Sequence, residues 1–375
     1  MKQTCYSNHN QAFMKIKSLF IVHCSLFIFF AGSAWAQLRN DDVWKTDLGK
    51  SETREVIHVP DIQGFKTLKC DFHIHTIFSD GKVWPDVRVD EAWKQGYDAI
   101  AMTDHIEYRP NKDILTGDFN ESFKIAKKRA DQIGFILIKG SEITRDKPFG
   151  HFNALFLTDS NPLDVKDPME AIDIARKQGA IIQWNHPGWP DNQSTIYDVH
   201  EKMLAEKKID LVEVHNHTEY YPLVFDWINK YDIAPAANSD THNAILIEYG
   251  TEKMARPITL VFARDRTENA IKEALVARRT AAFFNNTIVA QKEWAEKLFW
   301  ACLRYRIISI KDMTALVEVE NISDIPFVVR ISANERIVFP AGKVIRTSIT
   351  APGSLTIENI FIGHQKNLEV PVPEG

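Results

Sequence analysis

The sequence predicts an α/β fold, a parallel sheet closed as a barrel of the triosephosphate-isomerase kind and followed by a small all-β region. Three observations predict it. Short apolar runs alternate with helical segments over residues 68–285, giving about seven β/α units in ~220 residues. The runs are continuous rather than alternating, as in strands buried on both faces. Clusters of His, Asp and Glu fall just after the C-terminal ends of the expected strands, and in a barrel those ends open on one rim. An open doubly wound sheet is the alternative, and the lack of a glycine-rich phosphate loop after the first strand weakens its nucleotide-binding version.

Residues 1–36 read as a secretory signal peptide. Lys15 and Lys17 precede an apolar run at 19–30, and Ala34-Trp35-Ala36 gives a small-x-small cleavage pattern before Gln37. A membrane anchor is the alternative, but the run is short for a span and is broken by His23 and Ser25. No membrane span is expected after cleavage, and export places the protein in the periplasm or outside the cell. Removing the three lysines of this segment leaves 42 basic and 50 acidic residues, a net charge of −8. That balance argues against a broad basic nucleic-acid footprint, so no stable nucleic-acid complex is expected. Cys5 and Cys24 leave with the signal. Cys70 and Cys302 remain and are expected to be two separate buried thiols rather than a disulfide.

Residues 37–67 form a polar lead-in. The first strand is expected at 68–75. Pro85 opens a helix in the allowed first-turn position and Gly96 stops it. Strands at 99–103, 135–138, 180–184, 210–214, 233–237 and 258–262 follow, with an added strand at 150–157. Helices at 120–132, 168–178, 197–207, 222–230 and 267–277 connect them, several closed by glycine. After residue 285 a bridging helix at 291–301 precedes short strand-like runs separated by turn signals, a small sandwich-like domain at 286–375.

The chemistry starts at His73 and His75. Residues i and i+2 of a strand point to the same face, so both imidazoles converge on one point. Asp80 follows in the next loop. The later strand ends deliver His105, Glu142, His186, His215, Asp240 and His242 to the same rim. Imidazole with carboxylate and no thiolate suits zinc, iron or manganese. His217 rivals His215 from the same strand face, and His215 is preferred because it lies nearer the strand end. Asp104 reads either as a residue orienting a ligand or as a helix cap. Arg145 reads either as a phosphate grip or as a surface arginine, and His151 as a substrate contact or a structural hydrogen-bonding residue. The Trp184–Trp189 region either walls the pocket or belongs to the core. His58, His200 and His364 are expected to face solvent.

Together Asp71-Phe-His-Ile-His-Thr76, Ser79-Asp-Gly81, Thr103-Asp-His105, Gly140-Ser-Glu142, Asn185-His-Pro-Gly188, Glu213-Val-His215 and Ser239-Asp-Thr-His242 resemble the polymerase and histidinol phosphatase (PHP) family. The resemblance covers about residues 68–285, and its specificity comes from the ordered set of motifs. It implies a distorted (β/α)7 barrel, up to three divalent metals (Zn, Mn or Fe) and phosphoester hydrolysis by a metal-bridging hydroxide. It further implies that His73, His75, Glu142 and Asp240 hold the first metal. Glu142 would bridge to a second, completed by His186 and His215, and Asp80, His105 and His242 would hold the third. Glu142, His105, His242, Arg145 and His151 form the expected catalytic set.

The layout of signal peptide, barrel and β tail resembles exported PHP phosphodiesterases of Gram-negative bacteria, which implies a small phosphate ester as substrate. A phosphomonoesterase of the histidinol-phosphatase type is the alternative. A metal-stabilised binding module without catalysis is an alternative of another class.

Overall fold

The computed structural model describes residues 53–350 and 353–372. The expected signal peptide, Cys5, Cys24 and the first part of the lead-in lie outside the described residues. The described part of the lead-in is less polar in role than its composition suggests, because Ile57, Val59 and Ile62 are buried in the core.

The elements follow local rules. Strand β1 (Lys66–Asp71) leads to helix α1 (Pro85–Lys94), which has Pro at its first turn and Gly96 in the left-handed region just beyond its end. After β2 (Ala99–Met102), helix α2 (Glu121–Ile133) buries Ser122, Ala126 and Ala130, one stripe at four-residue spacing, and Gly134 ends it at φ 64. Strands β3 (Ile136–Thr144) and β4 (His151–Leu155) precede α3 (Pro168–Lys177), whose Asp167 cap accepts from the Met169 N–H. Then come β5 (Ile181–Trp184), α4 (Asp198–Ala205), β6 (Leu211–Asn216), β7 (Glu219–Tyr220), α5 (Val224–Lys230), β8 (Ala234–Asn238) and α6 (Ile245–Tyr249). Strand β9 (Ile258–Ala263), helix α7 (Glu268–Val276) and the hairpin β10 (Thr280–Phe284) and β11 (Thr287–Ala290) follow. Helix α8 (Lys292–Ala301) leads into β12 (Leu303–Lys311), β13 (Thr314–Asn321), β14 (Phe327–Ser332), β15 (Glu335–Phe339), β16 (Val344–Thr350), β17 (Ser354–Gly363) and β18 (Lys366–Pro371).

Among the described residues the strands β1, β2, β3, β5, β6 and β8 run parallel. Past the strand ends Ile74 bridges Thr241 in parallel, which brings the first and last of these strands side by side. The arrangement fits a barrel with helices outside. The added strand β4 and the expected barrel strand β9 are not parallel to the rest. β4 runs antiparallel between β3 and β5, because the six-residue return from β3 is too short for a crossover. β9 runs antiparallel to β1. The connection before it, residues 239–257, holds only the five-residue α6.

The boundary expected at 285/286 falls in the turn of the β10–β11 hairpin. Asn285 and Asn286 both take positive φ, 43 and 58, the pattern of a two-residue primed turn. This hairpin joins the two regions. β11 pairs in parallel with β17, so the barrel sheet runs on into β17, β14, β15 and β18. The β-rich C-terminal region contains a second sheet of β12, β13 and β16. Along β13, Ala315, Val317 and Val319 are buried at alternate positions, and they share one core with Phe327, Val329, Ile357 and Leu368 of the other sheet. Helix α8 adds Leu298 and Phe299 to that core. The described residues accordingly form one compact unit. Cys70 and Cys302 are both buried and free.

Phe299 is fully buried, 5.2 Å from the Phe327 ring in an edge contact. Phe299→Ala is expected to cost about 3–5 kcal/mol, read by denaturant unfolding. Because the core is shared, barrel and β signals are expected to move together, and separate transitions contradict that.

Candidate metal centre

The site begins where β1 stops. Asp71 ends the strand, fully buried, and accepts from Nε and Nη2 of Arg256 at 2.9 and 2.6 Å. The pair ties β1 to the segment before β9, and Asp71 also takes the Ser239 N–H. The strand direction continues through the Ile74 bridge, so His73 and His75 still share a face, their Nε2 atoms 3.1 Å apart. Gly81 closes the next turn. A Cβ there would lie 2.7 Å from the His75 carbonyl carbon, so only glycine lets the Asp80 loop fold back over His75.

Three carboxylate oxygens stand out: Asp80 Oδ1, Glu142 Oε2 and Asp240 Oδ1 are buried and have no hydrogen-bond partner. Each faces imidazole nitrogens. Asp240 Oδ1 is 3.0 Å from His75 Nε2 and 3.2 Å from His73 Nε2, and Glu142 Oε2 is 3.4 and 3.5 Å from the same atoms. Asp80 Oδ1 is 3.3 Å from His242 Nε2 and 3.5 Å from His105 Nε2. Ligands about 2.1 Å from one ion at tetrahedral or octahedral angles lie roughly 3.0–3.4 Å apart. The spacing is therefore that of shared coordination spheres, and the donor set fits divalent metals of the zinc, manganese or iron type.

The other ring nitrogens are held as a metal site requires. His73 Nδ1 lies 2.9 Å from Glu213 Oε1 and His242 Nδ1 2.7 Å from the Asp240 carbonyl. His75 Nδ1 lies 3.3 Å from Ser79 Oγ, which donates to Asp104 at 2.8 Å. Asp104 also takes the Thr76 N–H and hydroxyl, so of its two readings the structure gives the orienting one. Each of these contacts places the proton on Nδ1 and leaves Nε2 free to face the carboxylates.

The electrostatics follow. Burial works against the charged form of Glu142, but His105, His73 and His151 outweigh it and hold the carboxyl well below its usual range. Asp240 behaves likewise under His73 and His75. Burial also opposes charge on His105, yet Glu142 and Asp80 push it up to about 10. Burial and neighbouring His105 bring His75 down to about 4 against the pull of Asp240. The ring positions carry backbone strain as well: Asp240 has φ 49 and His186 φ 23, both in the left-handed region.

Of the expected ligands, the structure gathers His73, His75 and Asp240 in one group, His73, Glu142 and His186 in a second, and His75 with Asp80, His105 and His242 in a third, so His75 also joins the residues expected around the third metal; His186 Nε2 lies 3.5 Å from Glu142 Oε1. The structure does not bring His215 in. The β6–β8 register shifts between Glu213 and His215. That extra residue turns the His215 ring to the opposite face, where it stacks on Phe284 at 4.2 Å. His217, the rival, lines the metal pocket just past the strand end. His151 places Nδ1 3.0 Å from Glu142 Oε1, on the side of the carboxylate that His215 was expected to face.

Arg145 lines a side pocket with His105, His151 and Trp189, but its guanidinium is paired with Glu107 and donates to the Val165 carbonyl at 2.9 Å. The two tryptophans divide: Trp189 is half exposed at the pocket, and Trp184 is core. His200, expected in solvent, is buried at 2 % exposure, its ring packed at a tilt 4.1 Å from Trp184 and bonded to the Phe149 carbonyl at 2.7 Å. His58 is exposed and His364 is half-buried.

Sequence reading missed Glu213. It is fully buried and takes His73 Nδ1, the His186 N–H at 2.7 Å and the Asn216 and Asn238 amides. A lone acid inside the apolar run of β6 was the available signal.

A barrel-like sheet with clustered candidate metal ligands on one rim defines a metal-dependent enzyme class. Residues 71–232 match the family model described as the PHP domain. A two-domain protein of Bacteroides vulgatus, containing a predicted PHP-like metal-dependent phosphoesterase, is 36% identical in sequence. The match has a TM-score of 0.81 and covers 85% of this chain and 98% of that one. Two uncharacterized proteins of Methanocaldococcus jannaschii are also similar. One is 27% identical over 181 residues, 47% of this chain and 65% of that protein. The other is 35% identical over 83 residues, 22% of this chain and 36% of that protein. The chain thus spans less than two thirds of the length of these curated relatives. This chain belongs to the PHP family.

His75→Ala removes a nitrogen placed beside both Glu142 and Asp240. Elemental analysis of the purified variant is expected to show at least one metal equivalent fewer than the parent; unchanged occupancy contradicts the assignment.

Proposed function

We propose that the protein is an exported, metal-dependent phosphoesterase, most readily a phosphodiesterase of small phosphate esters. The carrying observation is the set of three unpartnered carboxylate oxygens among imidazoles at coordination spacing. His73, His75, Glu142 and Asp240 would hold one metal and Asp80, His105 and His242 another, with Glu142 and His186 contributing to a further position. Bound divalent metals would supply Lewis acidity toward phosphate oxygens and lower the pKa of coordinated water to about 7.

The chain's own residues do the rest. Glu213, Ser79 and the Asp240 carbonyl fix the rings so that no reorganisation is needed as charge develops. His151 is held neutral by burial against the pull of Glu142. With its Nδ1 proton on Glu142, its Nε2 is the bare nitrogen, able to take a proton in the pocket. Trp189 screens His151 and His186 from solvent, at ring distances of 4.8 and 6.0 Å. Arg145 can reach a phosphate by exchanging Glu107 for it.

The diester preference rests on space. The cradle opens into a pocket of about 430 Å³, with a second of about 480 Å³ on the Arg145 side. Two organic groups flank the phosphorus of a diester, whereas a monoester has one. The distorted (β/α)7 count belongs to the same reading: six parallel strands plus β4 give seven staves. Export rests on the first 36 residues.

Purified protein with added manganese or zinc is expected to hydrolyse bis-p-nitrophenyl phosphate faster than p-nitrophenyl phosphate, and Glu142→Gln to lose at least 100-fold, roughly the cost of misplacing one electrostatic group. The reverse preference favours the monoesterase, and turnover of neither at full metal occupancy favours the binding module. Mass spectrometry of protein recovered from an exporting host is expected to give Gln37 as first residue; an intact N-terminus contradicts export.

A further inference from the structure

A cavity larger than the metal pocket adjoins it. It holds about 890 Å³, and His217 and Thr218 line both. The volume is that of a small-molecule pocket and far exceeds what a phosphate needs. Its wall is aromatic and flat. The His215 ring lies 4.2 Å from Phe284 at 23°, and Tyr220 lies on Phe284 at 6.1 Å and 24°. Burial and the neighbouring His217 bring His215 down to about 3, so that part of the wall carries no charge. At the rim Lys253 is neutralised by Asp324 at 2.6 Å. Amide groups of Asn285, Asn286 and Gln365 line it too, with Glu252, His364 and the hydroxyls of Thr218, Tyr220, Tyr249 and Thr287.

An aromatic wall with amides and hydroxyls around it, and no unpaired lysine or arginine in the lining among the described residues, does not suit a second phosphate. It suits a planar ring with hydrogen-bonding edges. We propose that this cavity seats the heteroaromatic organic group of the substrate, one of nucleoside size, while the phosphoryl group lies at the metal cradle. The inference rests on the phosphoesterase reading above. It gives the β-rich region a role in recognition, since Asp324, Phe361 and Gln365 come from it.

Two measurements test it. Adenosine, which has no phosphate, is titrated calorimetrically into the full-length protein and into Thr287→Trp, which places an indole in the cavity, and Tyr220→Ala, which removes a wall. Saturable binding by the parent is expected, at least tenfold weaker in Thr287→Trp and about fivefold weaker in Tyr220→Ala. No binding by the parent, or equal binding by parent and both variants, overturns the proposal. In the second measurement kcat/KM is compared for thymidine 5′-p-nitrophenyl phosphate and methyl p-nitrophenyl phosphate. The ratio between them is expected to fall about tenfold in Thr287→Trp, and an unchanged ratio overturns the proposal. Adenosine binding that depends on the cavity, with no hydrolysis of either ester by the metal-loaded parent, supports the cavity while sinking the phosphoesterase reading.

Discussion

Asp80, Glu142 and Asp240 hold carboxylate oxygens together in a buried space, each turned toward imidazole nitrogens and away from any hydrogen-bond donor. Such an arrangement is costly unless cations complete it. Most of the surrounding polar structure serves to hold it open. Glu213 fixes His73 and the His186 backbone, Asp104 acts through Ser79 on His75, and Asp71 ties the end of β1 to Ser239 on one side and to Arg256 before β9 on the other. The strained backbone at His186 and Asp240 belongs to the same account, because relaxing either would point a donor away from the centre.

Much of this could be read before the fold was known. The strand ends carrying His73, His105, His186 and Asp240 were legible because apolar runs, stop signals and ligand types coincide there. The expected helices follow Pro, Gly and cap positions closely. What failed has physical causes. The His215 expectation assumed a regular strand, and one bulge in β6 reversed the face; nothing local in Glu213-Val-His215 announces it. Glu213 looked like part of a motif rather than the residue that holds one. His200 looked polar on a helix surface, but its ring packs against Trp184 and its Nε2 finds the Phe149 carbonyl inside. The antiparallel sense of β9 is a matter of topology, which hydrophobic pattern does not report.

The boundary between barrel and β region shows the same limit. A change in composition after residue 285 is real, yet the turn at Asn285 and Asn286 is where the regions join. Pattern locates elements; it does not say which distant strand an edge will pair with. The pairing of β11 with β17 puts residues about seventy positions apart side by side, and the cavity at the mouth of the metal pocket takes residues from both sides of it.

That pairing also orders the birth of the protein. During synthesis β11 emerges long before β17, and until β17 arrives its outer edge has no partner. Such an edge is a template for wrong partners, and non-local closures of this kind are slow. The nascent metal centre can be complete in sequence by His242, yet the sheet that backs it stays open for more than a hundred further residues. Quality control therefore bears on the last strands: a chain cut short after β11 would carry every candidate metal ligand and still be the species most prone to aggregate.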